Sequence, residues 1–538
     1  MAADLVLHQG NVYTMDRAAP RARAVAIAGD RIVAVGENAA ILDLLAPDGR
    51  AIDLEGRTVL PGFTDAHLHL LSFGLSLGQI DLAGAATLED ALARVAARAK
   101  TVPHGQWLVG RGWDHSLWGA GALPTRQDLD RVAPRHPVRL QHKCGHASWV
   151  NTRALELAGI TKDTSDPPGG EIERSPAGDA AGVLKEGAMA LVTRLLDEPP
   201  LDEAAEAIRA AVPHAHRAGL VGVHTMEGPL AFRALQRVRA AGELTLRVLI
   251  TVPESKLAAA VEVGLRSGFG DEWLRIGGVK SFADGALGSR TAYLLAPYEG
   301  EREYCGISTA TPKDLRETVD KASRAGLAAF VHAIGDRANR ETLDAVEASR
   351  AAGAGLHLRH RIEHAQLLDP ADVGRFAALG VVASMQPIHA TQDIRIADAH
   401  WGARGAGAYA FRSLLDSGAT LAFGSDCPVE DLSPLVGIHA AVTRRRADGS
   451  PGPDGWYPEQ RLTVEEAVRA YTMGPAYAGG GETLTGCLAP GKLADLVVLS
   501  QDIFTVDPMA ILETDVVATL VGGECVHGRA ALGMEGER

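Results

Sequence analysis

Leu60-Pro61-Gly62-Phe63-Thr64-Asp65-Ala66-His67-Leu68-His69 reads as an apolar strand that ends in a His-x-His pair. Side chains alternate across a strand, so residues two apart leave it on the same side. His67 and His69 therefore emerge together, and two neutral imidazoles at a strand end can grip one metal ion. Such an ion needs further ligands, and the rest of the chain decides whether this is a site or an ordinary polar pair.

Outward from that strand, apolar β-branched segments alternate with Ala-rich, helix-patterned stretches, the signature of repeated βα units on a parallel sheet. Strands are expected at 58–66, 220–226, 246–252, 274–281, 327–332, 359–364, 381–386 and 420–425. Eight of them imply an α/β fold of the (β/α)8 TIM-like barrel type. The first gap is too long for one helix, so 75–200 is expected to be a large insertion after barrel strand 1, leaving 58–74 and 201–487 for the barrel. The chain ends, 1–57 and 488–538, both give short β-rich pieces between Gly and Asp turns, such as Ala24-Val25-Ala26-Ile27-Ala28 and Asp495-Leu496-Val497-Val498-Leu499. Neither end is long enough to fold alone, so the two are expected to build one small β-sandwich together.

The 538 residues exceed one ordinary domain, and 46% hydrophobic with 22% charged residues is the composition of a soluble protein with a large core. A net charge of −14 without any long Lys/Arg run argues against nucleic acid or an anionic membrane as partner. No apolar run approaches the ~20 residues of a membrane span, and the N-terminus lacks a basic segment followed by an apolar core. Cys144, Cys305, Cys427, Cys487 and Cys525 are widely spaced with no CxxC pair, which indicates neither a disulfide framework nor a thiolate zinc knuckle and fits a reducing cytoplasm.

Chemistry gathers at the carboxyl ends of the expected strands, where barrel enzymes place their active sites. Strand 1 ends in His67 and His69, strand 5 in Phe330-Val331-His332, strand 6 in Arg361-Ile362-Glu363-His364 and strand 8 in Gly424-Ser425-Asp426. Strand 4 carries Lys280 where most barrel strands would carry an aliphatic side chain. A cationic amine beside dications would repel them, so Lys280 joins this group only with its charge removed or inverted.

These residues resemble the binuclear metal site of the amidohydrolase superfamily. The surrounding phrases are similar to its amidohydrolase 3, or YtcJ-like, branch, which includes N-substituted formamide deformylase. They are 61–69 (PGFTDAHLH), 110–114 (GRGWD), 145–151 (GHASWVN), 279–291 (VKSFADGALGSRT), 332–338 (HAIGDRA), 361–366 (RIEHAQ), 424–429 (GSDCPV) and 490–499 (PGKLADLVVL), in order along nearly the whole chain.

The resemblance implies two divalent metal ions, with zinc the first expectation from the nitrogen and oxygen donors. It places one ion on His67, His69 and Asp426 and the other on His332 and His364, bridged by Lys280 after carboxylation by carbon dioxide. It further implies a metal-bridging hydroxide, Asp426 as general base and then acid, and hydrolysis of an amide-like C–N bond in a small molecule. Ring opening of a cyclic amide or deamination would use the same residues, and a non-catalytic binding protein is the remaining alternative. Substrate contacts are expected from His146, Trp113, Arg290 and Gln386, with Trp149, Asn151 and Asp114 near the first two. Asp284 is expected to orient the lysine or bind an anionic group, and Asp336 with Arg337 to form an ion pair shaping the His332 loop. A homodimer would suit such a barrel.

Overall fold

The computed structural model describes residues 2–118, 123–143, 145, 147–167, 170–196 and 198–534. Its central sheet has eight parallel strands: β1 (Phe63–Leu68), β2 (Leu220–Thr225), β3 (Arg247–Pro253), β4 (Leu274–Phe282), β5 (Ala328–Ala333), β6 (Arg361–His364), β7 (Val382–Met385) and β8 (Leu421–Phe423). Each neighbours the next in chain order, the arrangement of a (β/α)8 barrel. Almost every residue of β1, β2 and β5 to β8 is buried, as expected for strands covered on both faces.

The seam between β8 and β1 is closed by other means than a regular ladder. Asp426 N–H donates to His67 O at 2.7 Å, and His69 N–H donates to Cys427 O at 2.8 Å. The buried Asp65 carboxylate accepts from the backbone N–H of both His67 and Ser425, so one side chain ties the two strand ends together. Gly424 is required there, since a Cβ would lie 2.4 Å from His67 N and 2.6 Å from Asp65 Oδ1.

The helices between the strands begin where local chemistry starts them. Pro312–Arg324 has Pro at its first turn and a capping box in which Thr311 and Asp314 serve each other's backbone N–H. Apolar residues on its inner face, Leu315, Val319 and Ala322, are buried.

The expected first strand, 58–66, is two strands with different partners. Thr58–Pro61 pairs antiparallel with Leu496–Leu499, whereas β1 pairs parallel with β2. The switch occurs at Gly62, whose N–H donates to Asp495 O while Phe63 N–H donates to Gly219 O. A Cβ on Gly62 would lie 2.2 Å from Val221 Cγ1, so only glycine lets the chain pass this close to β2.

Thr58–Pro61 belongs to a six-stranded sheet with Asn11–Tyr13, Arg21–Ala22, Leu496–Leu499, Val516–Val521 and Glu524–His527. A four-stranded sheet holds Ala3–His8, Ala24–Ala28, Arg31–Gly36 and Leu45–Asp53. Leu5, Leu7, Val25 and Ile27 of the second sheet share one buried cluster with Val59, Leu496, Val498 and Leu520 of the first. Residues from both chain ends thus fill a single core.

The contacts divide the chain into two compact units, Met1–Leu71 with Ile208–Arg538, and Ser72–Ala207. The second holds its own six-stranded sheet, which includes Leu108–Trp113, Val138–His142 and Ala147–Val150. Trp113 and Trp149 are fully buried in its core. Among the described residues no helix is long and apolar enough to cross a membrane.

Candidate metal centre

At the carboxyl ends of β1, β5, β6 and β8 the structure brings four histidines and one aspartate into a single group, in which His67, His364 and Asp426 are buried and His69 and His332 partly exposed. His69 Nε2 lies 3.2 Å and His67 Nε2 3.5 Å from Asp426 Oδ1. The His67 and His364 rings are 4.9 Å apart, and those of His332 and His364 4.5 Å, centre to centre. Donor atoms of His67, His69 and Asp426 all fall within 4.8 Å of one another, a spacing that one ion can span. His364 and Asp426 both have positive φ, 74° and 60°, a conformation uncommon outside glycine that clusters at functional sites.

Lys280, on β4, is 6% exposed, and its Nζ has no hydrogen-bond partner among the described residues. Its Nζ lies 4.9 Å from the centre of the Phe282 ring. Burial pushes the amine down to about 8. The same burial, together with the Lys280 charge, pushes His67 down to about 4 and His332 to about 3. Burial and the adjoining His332 and His67 also hold His364 well below the imidazole range. These imidazoles are neutral at physiological pH and present lone pairs, as metal donors must.

Carboxylates set the orientation of the rings. Glu363 Oε2 is 2.6 Å from His67 Nδ1, and Arg361 Nε is 2.8 Å from Glu363 Oε1. Burial would raise Glu363, but the Arg361 charge and the His67 hydrogen bond hold it well below the carboxylate range. Asp284 accepts the backbone N–H of Tyr293, Ile334 and Gly335, which fixes the loop after His332. The loop-shaping role expected of Asp336 and Arg337 therefore falls to Asp284. Asp336 instead accepts the N–H of Leu295, and Arg337 turns its guanidinium to Glu341 at 3.2 Å.

His389 joins the group although its sequence position gave no hint of it. It lies in the short helix Pro387–Gln392 after β7, with Nε2 3.3 Å from Asp426 Oδ2 and Nδ1 3.7 Å from Glu430 Oε1. Burial would lower it, yet hydrogen bonds to Asp426 and Glu430 push it up to about 10. Burial alone would raise Asp426 in turn, but the hydrogen bonds from His389 and His69 hold it well below the usual carboxylate range. His389 is thus a cation against an anion. Donor atoms of His364, His389 and Asp426 also lie within 4.8 Å of one another.

The expected substrate contacts fare differently. Gln386 is buried at the end of β7, and its Nε2 has no partner among the described residues. Arg290 follows β4 and pairs with Glu301 at 2.5 Å, about one third exposed. Trp113 donates to Leu140 O at 2.9 Å and Trp149 to Thr125 O at 2.7 Å, so both indoles are anchored in the core of the Ser72–Ala207 unit. Asn151 accepts from Ala154 N–H and caps the helix Thr152–Ala158. His146 lies outside the described residues.

The model of the amidohydrolase family matches residues 50–527. The amidohydrolase YtcJ of Bacillus subtilis, itself named as putative, is 32% identical over 98% of this chain and 99% of its own length. N-substituted formamide deformylase of Arthrobacter pascens is 30% identical over 97% of each chain. The crystal structure of an uncharacterised metal-dependent hydrolase from Pyrococcus horikoshii OT3 superposes with a TM-score of 0.79 at 29% identity, covering 94% of this chain and 99% of that one. With family, fold and converging donor groups in agreement, the chain is a metal-dependent hydrolase that belongs to the amidohydrolase family, in its amidohydrolase 3 branch.

Proposed function

We propose that the chain hydrolyses the acyl–nitrogen bond of a small N-substituted amide or formamide at the carboxyl end of the barrel, with two divalent ions, zinc first among them. The observation that carries this reading is Lys280, a buried amine without a hydrogen-bond partner among the described residues, in a group of metal-type donors. An ammonium there opposes cation binding, whereas carboxylation converts it into an anion with two oxygen donors. With burial pushing the amine to about 8, a fraction is unprotonated near neutrality and can react with carbon dioxide. The donor set therefore fits the implied ions. His67, His69 and Asp426 would hold one, His332 and His364 the other, and carboxylated Lys280 both.

When bound, the ions supply Lewis acidity at the carbonyl and lower the pKa of a shared water. The chain's own groups govern the proton. Asp426, kept ionised by its histidine partners, accepts the proton of the attacking water and returns it to the leaving nitrogen. The new C–O bond forms as the C–N bond breaks, giving a carboxylic acid and an amine. His389, backed by Glu430, holds the second oxygen of Asp426 and fixes the direction in which the first accepts. Gln386 Nε2, buried and without a partner among the described residues, is a donor suited to the substrate carbonyl. The activity named for the Arthrobacter pascens relative supports an acyl–nitrogen substrate.

The test is a screen of formamides, N-substituted amides, N-acyl amino acids, lactams and hydrazides, run with zinc and bicarbonate and read as amine release. Turnover of an N-substituted formamide or amide is expected. A fully metallated protein that releases amine from none of them refutes the reading.

A further inference from the structure

The Ser72–Ala207 unit carries metal-type donors of its own. Asp114 and His115 directly follow the strand Leu108–Trp113, and His142 ends the parallel strand Val138–His142. Trp113 and His142 stand opposite each other in the ladder, which brings the two strand ends side by side. Donor atoms of Asp114, His115 and His142 all lie within 4.8 Å of one another, the same closeness found for His67, His69 and Asp426. The two groups share no residue.

Aromatic contacts fix the planes of both rings, and the buried His115 Nδ1 has no hydrogen-bond partner among the described residues. Trp113, fully buried, meets His142 edge to face at 4.5 Å and lies 5.9 Å from His115, while the two imidazole centres are 5.6 Å apart. Trp113, His115 and His142 line a cavity of about 510 Å³ whose wall also includes Glu171, Lys185 and Glu186. Two imidazoles lining a cavity, with the Asp114 carboxylate close to both, form the ligand pattern of an open zinc site, with three protein ligands and one position for water or a small ligand.

We infer that Asp114, His115 and His142 bind a divalent transition-metal ion, zinc in the first instance, with its open position toward this cavity. Lys143 Nζ stands 2.5 Å from Asp114 Oδ2, where it balances the carboxylate charge. Its side chain is 62% exposed, so it can swing into solvent when a dication takes that place. Metal uptake therefore exchanges one cation for another at Asp114 and leaves the hydrogen bond of Trp113 to Leu140 O untouched.

The experiment is zinc content per chain in the intact protein, equilibrated with excess Zn2+ and desalted. It compares wild type with His115→Ala/His142→Ala, with His67→Ala/His69→Ala and with all four substitutions together. The insertion pair is expected to lose one equivalent, and the fourfold variant one equivalent relative to the barrel pair. Equal content within either comparison overturns the site. A second measurement needs no variant: diethyl pyrocarbonate modification of His115 and His142, mapped by mass spectrometry with and without zinc. Zinc at ten times its dissociation constant should slow both by about tenfold, and unchanged rates overturn the site.

Discussion

Glu363 Oε2 sits 2.6 Å from His67 Nδ1, with both side chains removed from solvent, and Arg361 grips the other carboxylate oxygen from behind. The same Arg361 donates to Ala66 O and to Ser384 Oγ at 2.6 Å, so its charge is fixed between β1, β6 and β7. A ring whose Nδ1 faces a carboxylate carries its proton there and presents Nε2 as a lone pair. His67 Nε2 is the nitrogen on the Asp426 side.

Glu363→Gln preserves the shape of that contact and removes its charge. Metal affinity should fall about 10- to 100-fold, as for other partners that orient a ligating histidine. Competition with a chromogenic chelator measures it, and an affinity equal to wild type would show that Glu363 does not tune His67.

Lys280→Met replaces the buried amine with a neutral side chain of similar length. Metal content should drop, and turnover should fall by about a thousandfold, equivalent to about 4 kcal/mol. Wild-type activity should decline when bicarbonate is stripped during reconstitution and return when it is restored. Reconstitution that is indifferent to bicarbonate argues against a carboxylated lysine.

His389→Gln removes the cation behind Asp426. The expected result is a fall in kcat of about a hundredfold or more, with metal content retained, since positioning of an acid–base group contributes on that scale. Loss of metal in step with activity would instead make His389 a ligand.

His360 gives a pH dependence away from the metal site. It is fully buried, its Nδ1 accepts the Ala329 N–H, and burial pushes it down to about 4. A histidine with a depressed folded pKa binds fewer protons folded than unfolded between about 4 and 6.5, so stability rises with pH across that window. Its contribution is complete above about 6.5 and is lost as pH falls toward 4, on the order of 3 kcal/mol in total. Denaturant titrations should show a shallower acid slope for His360→Gln than for wild type; equal slopes would remove His360 from the account.

Gly62→Ala tests the crossing at the start of β1. The added methyl meets Val221 Cγ1 at 2.2 Å, an overlap that costs about 1–3 kcal/mol in a packed interior. Val221→Ala in the same chain should recover part of that loss, and thermal denaturation of the single and double variants reads both effects.

The parts of the site legible in the sequence are those fixed by strand periodicity. His67, His69, His332 and His364 lie on or directly after a strand, so alternation and barrel topology suffice to bring them together. His389 escapes because it lies in the helix after β7, where alternation has ended. Asp65 and Asp284 act on backbone N–H groups far away in sequence, at Ser425 and Gly335, and nothing in the spacing pairs them. Trp113 lines a cavity and also fills the core of its unit, and the Leu140 carbonyl that takes its indole N–H is visible only in three dimensions. The split of 58–66 was hidden because the partner of Thr58–Pro61, Leu496–Leu499, lies near the other end of the chain.

That pairing makes the C-terminal segment a splint for the reactive strand. Leu496 sits opposite Pro61, Gly62 follows, and His67 and His69 come five and seven residues after that glycine. A protease nick or a fused tag that frays Leu496–Leu499 would free the root of β1 and loosen its histidines. The far end of the chain can therefore govern metal retention without touching the metal, and sequence distance is a poor guide to which truncations the enzyme tolerates.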